Sequence, residues 1–213
     1  MRTKDVDLLT VEPGLFKAWR IDHQQRGRGG DGVLNGTTFI AAGGQFIAAG
    51  VQAGDVLYAA SIDGVIDGCY EIVEVVSATQ LVVSVLRGDE AQPPRPVGAG
   101  SNLIWRISTF APQRALAERT LLDRLELTEE AVAGLDETGQ WRLGAAMVSA
   151  ALALIFESLD QQEDDDEVFG RKKETYQQAL EASLVRLRLA FDIDGDGQPD
   201  ATQRGDSVRM NRQ

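Results

Sequence analysis

The stretch GVQAGDVLYAASIDGVIDGCYEIVEVVSATQLVVSVLR, residues 50–87, decides the fold. It holds three runs, GDVLYAA, CYEIVEVV and QLVVSVLR, rich in β-branched and aromatic residues. Such runs are strand formers when bounded by turn residues. The bounds are present: Ala53-Gly54-Asp55, Asp63-Gly64, Asp67-Gly68 and Ser77-Ala78-Thr79. In YEIVEVV, Glu71 and Glu74 separate Tyr70, the pair Ile72-Val73 and the pair Val75-Val76. Alternation is imperfect there, and the spacing admits a bulge.

Similar runs flank this stretch: TTFI, GQFI and, further on, NLIWRIS. FIAAGGQFIAAG repeats Phe-Ile-Ala-Ala-Gly at an interval of seven residues. That period is far below those of solenoid repeats, and reads as a tight hairpin-like duplication. RGDEAQPPRPVGAG, 87–100, is a polar loop that Pro93, Pro94 and Pro96 stiffen and keep out of a sheet. Short strands with close turns over residues 37–110 predict a small barrel or sandwich.

Residues 1–36 read as an arm and a loop. EPGLFKAWR turns at Pro13-Gly14 and carries three apolar anchors, Leu15, Phe16 and Trp19. HQQRGRGGDGVLNG, 23–36, contains Gly27, Gly29 and Gly32 at the spacing of the dinucleotide fingerprint. That fingerprint needs a strand before it and a helix after it. Polar residues precede these glycines and strand-like residues follow, so the segment reads as a flexible loop rather than a cofactor site.

After STFAPQ the period becomes helical. Residues 112–127 place Ala117, Leu121, Leu122 and Leu125 on one side. Thr128-Glu129-Glu130 starts a short helix, with carboxylates where the dipole favours them. A helix over about 138–159 contains LGAAMVSAALALIF, whose fourteen residues are too few to span a bilayer. Its small residues Gly144, Ala145, Ser149, Ala150 and Ala153 admit a close neighbour. DQQEDDDEVFG, 160–170, is an acidic, solvated connector. Beyond it, Tyr176, Leu180, Leu184, Leu187 and Phe191 form one helix face that pairs with the preceding helix as an antiparallel hairpin. The fold class is therefore α+β: an N-terminal β-barrel or sandwich over 37–110, a helical domain over 111–191, and a tail over 192–213.

Composition limits function. Net charge is −12, with −3 on residues 1–110 and −9 on 111–213. Such a surface repels phosphate and argues against a dedicated nucleic-acid binder, but it suits a wall past which DNA slides. One cysteine, Cys69, excludes an intrachain disulfide and reads as a small hydrophobe inside a strand. One histidine, His23, excludes multi-histidine metal sites. Charges among the first residues are unlike a signal peptide. The chain has no HExxH, GxSxG or GxxxxGK[ST], and its carboxylates cluster in turns and helix starts, so no enzyme is expected.

FDIDGDGQPDA, 191–201, is the densest acidic motif. Counting Asp192 as position one of a calcium loop, Asp194 is three, Asp196 five and Gly197 six. The carbonyl of Gln198 is seven and Asp200 nine, whereas position twelve is Gln203 instead of a bidentate Glu. The spacing resembles the short DxDxDGxxD calcium loops found outside EF-hands. The alternative is a helix C-terminus capped by Gly195 or Gly197. In either case the segment braces the joint between a packed hairpin and the tail ATQRGDSVRMNRQ, 201–213.

The order of parts carries a resemblance. Residues 50–87 resemble small β-modules of tailed-phage virion proteins. The helices after residue 112, ending in a polar tail, resemble the core of phage head–tail connector (adaptor) proteins, here with an added N-terminal β-module. The resemblance implies a structural neck protein of the virion that forms a dodecameric ring between portal and tail or stopper proteins. DNA passes through such a ring without specific binding, and no membrane is involved. Tails reach neighbouring subunits or the portal, which would make Arg204, Arg209 and Arg212 partner contacts. Two other readings stay open: another tail-completion or decoration role, and a soluble calcium-dependent binding module.

Overall fold

The computed structural model describes residues 3–18, 24–160, 167–191 and 201–204. The chain divides into two compact units, Lys4–Phe110 and a second built mainly from Ala111 onward. The fold is α+β, an antiparallel β-barrel followed by helices, as the sequence patterns predict.

The first unit opens with two short helices, α1 (Asp5–Val11) and α2 (Leu15–Ala18). Six strands follow: β1 (Gln25–Gly36), β2 (Thr38–Ala41), β3 (Val56–Ala60), β4 (Asp67–Val75), β5 (Gln80–Ser84) and β6 (Gly98–Ser108). They close into a barrel in the order β1-β2-β5-β4-β3-β6. All pairings are antiparallel, and closure leaves no free edge.

The glycine-rich segment is not a loop; it is β1, the strand that closes the barrel against β6 and β2. Its glycines answer to Trp105 on β6, which lies inside the barrel and is 2% exposed. A Cβ at Gly27 would stand 3.0 Å from the Trp105 ring, and one at Gly29 would stand 2.6 Å from Nε1. At Gly32 it would meet Phe39 at 3.0 Å and the Leu103 carbonyl at 3.1 Å. The fingerprint spacing is therefore the set of β1 positions across which large side chains lie. A shift of register between Gly29 and Gly32 accounts for the extra residue in the spacing. Phe39 and Phe46 meet Trp105 edge-on, at centroid distances of 6.0 and 5.6 Å.

The duplicated pentapeptide takes two conformations. Phe39-Ile40-Ala41 lies in β2, while GQFI, expected as a strand, falls in successive turns ending at Gly50, which has φ of +70°. Both phenylalanines are buried in the same core, so the duplication preserves the anchor and not the backbone.

β4 contains the bulge that its pattern admits: the register with β5 shifts between Ile72 and Glu74. Ile72 is fully buried, and without the extra residue Glu74 would share its inward side. Glu71 is buried outside the barrel. Arg87 covers it, with Nη2 2.6 Å from Oε1 and Nε 3.1 Å from Oε2. Arg87 Nη1 also donates to the carbonyls of Glu90 and Gln92, which fixes the start of the proline-rich loop.

The second unit contains α3 (Ala111–Arg124), α4 (Glu129–Ala133), α5 (Glu137–Asp160) and α6 (Glu167–Arg186). Thr128 caps α4 by accepting from the Ala131 N–H at 3.2 Å, and Asp136 accepts from the Gly139 N–H at 2.6 Å at the start of α5. By length and composition α5 is apolar enough to cross a membrane, but most of its apolar stretch is buried within the protein. α5 and α6 form the expected hairpin. Gly144, Ala150 and Ala153 are buried, and Phe156 stacks on Phe169 and Tyr176.

The expected helical face extending to Phe191 is corrected. α6 ends at Arg186, and β7 (Arg188–Phe191) pairs antiparallel with β8 (Ala201–Arg204). Leu187 and Leu189 are buried with Arg188 exposed between them, an alternation of two. Leu187 satisfies both the helical and the strand period, so the sequence does not mark the change.

A methyl group on Gly29 forces the enclosed indole to move, whereas Gly30 faces open space. Gly29→Ala is expected to cost about 1–3 kcal/mol in urea unfolding of the barrel, and Gly30→Ala less than about 0.5 kcal/mol. Glu71→Ala leaves the Arg87 charge without its carboxylate where both side chains are under a tenth exposed. It is expected to cost about 3 kcal/mol and to speed amide exchange of residues 87–92.

Candidate functional site

Most sequence-predicted site residues lie outside the described residues: Asp192, Asp194, Asp196, Gln198 and Asp200, together with Arg209 and Arg212. His23 and Trp19 do too. Arg204 ends β8, directly opposite Arg188 in register. The pairing of Phe191 with Ala201 brings together the chain on either side of the acidic segment. The segment therefore joins two strands and does not follow a helix end. Among the described residues, no group of three or more His, Cys, Asp or Glu side chains is placed to hold a metal ion.

One dense cluster of titratable groups sits on the outside of the barrel, across β4, β3 and β6. Cross-strand pairing sets Cys69 beside Tyr58, and Tyr58 beside Arg106. Lys17 of α2 lies 2.5 Å from Asp67, which also accepts from the Tyr58 hydroxyl at 3.1 Å. The Arg106 guanidinium lies over the Tyr58 ring, 5.0 Å from its centroid. Arg106 also donates to the carbonyls of Phe16 and Lys17. These carbonyls are at the end of α2, where a cation and its N–H groups satisfy otherwise orphaned acceptors.

The cluster fastens α2 to the barrel. Its titrations run away from neutrality. The hydrogen bond to Asp67 raises Lys17, and the bond from Lys17 lowers Asp67. Burial, followed by the bond to Asp67, raises Tyr58. Burial pushes the Cys69 thiol up to about 11. Such a thiol is protonated near neutral pH and a poor nucleophile, and none of these groups is tuned for proton transfer at pH 7.

A different feature stands out on the β3–β4 connection, Ser61–Ile66. Ile62 is 90% exposed and Val65 80%. Yet the turn is internally bonded. Ser61 Oγ donates to Asp63 at 2.5 Å and accepts from the Ile66 N–H at 2.9 Å. Asp63 accepts from the Val65 N–H at 3.1 Å, and the Ser61 N–H donates to the Ile66 carbonyl at 2.7 Å. Gly64, with φ of +74°, closes the bend. Two aliphatic side chains are thus held in water on an internally hydrogen-bonded turn. In the sequence, Asp63-Gly64 reads as turn chemistry alone. The available signal was an apolar residue on each side of a two-residue turn motif.

No family model, no curated protein and no solved structure matches the chain.

The raised Cys69 value gives a direct expectation. At pH 8 the native thiolate fraction is about one in a thousand. Iodoacetamide is therefore expected to label native protein slowly, with a rate that rises through pH 10–11, and unfolded protein with a midpoint near 8.5. A native midpoint near 8.5 contradicts the burial-driven shift.

Proposed function

We propose that this chain is a structural virion protein, a ring-forming connector or adaptor between portal and tail that extends the DNA channel. The observation that carries the reading is the rigid, solvent-exposed apolar turn Ser61–Ile66. Exposed aliphatic side chains on a pre-ordered support favour a protein partner over water. The order of barrel, helical hairpin and tail supports it through the resemblance to connector proteins. The charge of −12 supports it as well, because negative walls disfavour adhesion of DNA.

In this reading the helical unit forms the ring body, the segment bearing Arg204, Arg209 and Arg212 contacts portal, tail or stopper proteins, and the barrel is an added surface. The same observation permits a tail-completion or decoration role in the same particle. A calcium-dependent binding module is the reading from a different class. It draws on the Phe191–Ala201 pairing, since a loop that ligates a cation from both ends needs those ends held together.

Native mass spectrometry and light scattering of the full chain test the reading. A closed ring of identical subunits, twelve by the resemblance, is the expected outcome. A monomer at every concentration and with portal protein added overturns it. Calcium separates the alternative: a rise in Tm abolished by Asp194→Asn with Asp196→Asn supports a bound cation. An unchanged Tm with calcium or chelator removes that reading.

A further inference from the structure

The helical hairpin carries opposite charge at its two ends. The connector between α5 and α6 reads DQQEDDDE, 160–167. Of the cations that follow it, Lys173 is taken by Glu157 at 3.0 Å, which leaves Arg171 and Lys172 to offset the connector. The other end of the hairpin is basic. Arg142 in the second turn of α5, Arg186 at the end of α6 and Arg188 at the start of β7 are all exposed. The Arg142 guanidinium lies 3.5 Å from the Arg188 carbonyl, so the start of α5 and the end of α6 present these arginines together. Arg204 stands opposite Arg188 in the β7–β8 register. Like charges directly across a strand pair are destabilising, and an anion between them removes that cost. The carboxylates nearby are engaged elsewhere: Glu181 accepts from Arg124 at 2.7 and 2.9 Å, and Asp136 from the Gly139 N–H at 2.6 Å. Glu137 is five residues before Arg142, outside the three- and four-residue spacings at which helix side chains meet. Among the described residues, Arg142, Arg186 and Arg188 therefore have no carboxylate partner.

One copy cannot bring its own hairpin ends together, because α5 has 24 residues and is about 36 Å long. The other acidic segment, 192–200, leaves β7 at Phe191, the far end of that strand from Arg188. Charge complementarity then selects the occupant. DNA is also anionic, but a chain of −12 repels it at long range. The same repulsion acts between copies, and it is overcome where opposite charges face each other. Every copy holds both halves of such a contact, an acidic connector at one end of the hairpin and three exposed arginines at the other.

We propose that the acidic connector 160–167 of one copy seats on the arginine end of a second copy, against Arg142, Arg186 and Arg188. The contact joins two different surfaces, so it is heterologous and, repeated in one sense, runs around a ring of helical units. It rests on the ring-forming reading above, in which the helical unit is the ring body, and names the contact that joins neighbours.

The test uses the full chain. Arg142→Glu, Arg186→Glu and Arg188→Glu together reverse the basic end. Asp164→Lys, Asp165→Lys and Asp166→Lys together reverse the connector, and circular dichroism checks that each variant folds. Each variant is expected to lower the assembled fraction at least tenfold at a concentration and low salt where the parent assembles. The parent is expected to dissociate as sodium chloride rises. All six substitutions in one chain restore opposite charges at the contact and are expected to recover assembly, a rescue that damage to folding does not give. Arg119→Glu, at an exposed position of α3, is the control and is expected to assemble as the parent does. If the parent assembles and the reversed variants assemble equally, or the six substitutions together fail to recover assembly, this contact is overturned while the ring reading stands. Duplex DNA that binds the parent and not the arginine variant, with assembly unchanged, also overturns it and assigns that end to nucleic acid. A parent that stops at a dimer, lost in both reversals, supports the contact and overturns the ring. A parent that stays monomeric at every concentration overturns both.

Discussion

The indole of Trp105 against the bare backbone of β1 is the contact from which the barrel's other features follow. A six-stranded barrel has a narrow interior, and a tryptophan fits only if facing positions are empty. Gly27 and Gly29 provide that space, and Gly32 makes room for Phe39. Once the indole lies there, its N–H needs a partner, and Asp31 in the same strand supplies it at 2.8 Å. Asp31 in turn receives the Gly43 N–H, which fixes the start of the β2–β3 connection. Phe46 at the other side of that connection returns to the ring edge. One side chain therefore sets the closing strand, its register shift and the course of a long loop.

Glycines in a strand are unfavourable by themselves, because they lose the most entropy and pack nothing. Here they are offset by the burial of the Trp105 indole. The same logic of local cost and tertiary gain recurs at Glu71. A buried carboxylate is expensive alone, and Arg87 meets it with two hydrogen bonds while holding down the loop that covers it. The bulge after Ile72 belongs with these features. It spends one residue on irregular backbone and in return keeps Glu74 out of the core.

With the interior satisfied in this way, what the surface leaves open is informative. The titratable cluster around Tyr58 is internally consumed in fastening α2, and its groups hold their protons or charges firmly through neutral pH. The exposed side chains of Ile62 and Val65, on the turn Ser61–Ile66, pack into no core among the described residues. The turn belongs to the barrel, not to the acidic motif near the C-terminus that draws the eye in the sequence.

The sequence by itself determined the two periods, two in the first half and near 3.6 in the second, and hence the α+β class, the strands β2 to β6, the bulge and the α5–α6 hairpin. Those features depend on which side of a local element is apolar, and that information is written in consecutive residues. Tertiary structure alone decided that the glycine-rich segment is a strand, because its partner Trp105 lies more than seventy residues away and no local pattern announces it. It also decided that Leu187 to Phe191 leave the helix, since Leu187 and Leu189 fit either period and the pairing with Ala201–Arg204 selects one. It gave two copies of Phe-Ile-Ala-Ala-Gly different backbones around one core. The sequence places an apolar residue on each side of Asp63-Gly64, but the degree of exposure of Ile62 and Val65 was decided by the tertiary structure, for burial is a property of what surrounds a residue and not of the residue.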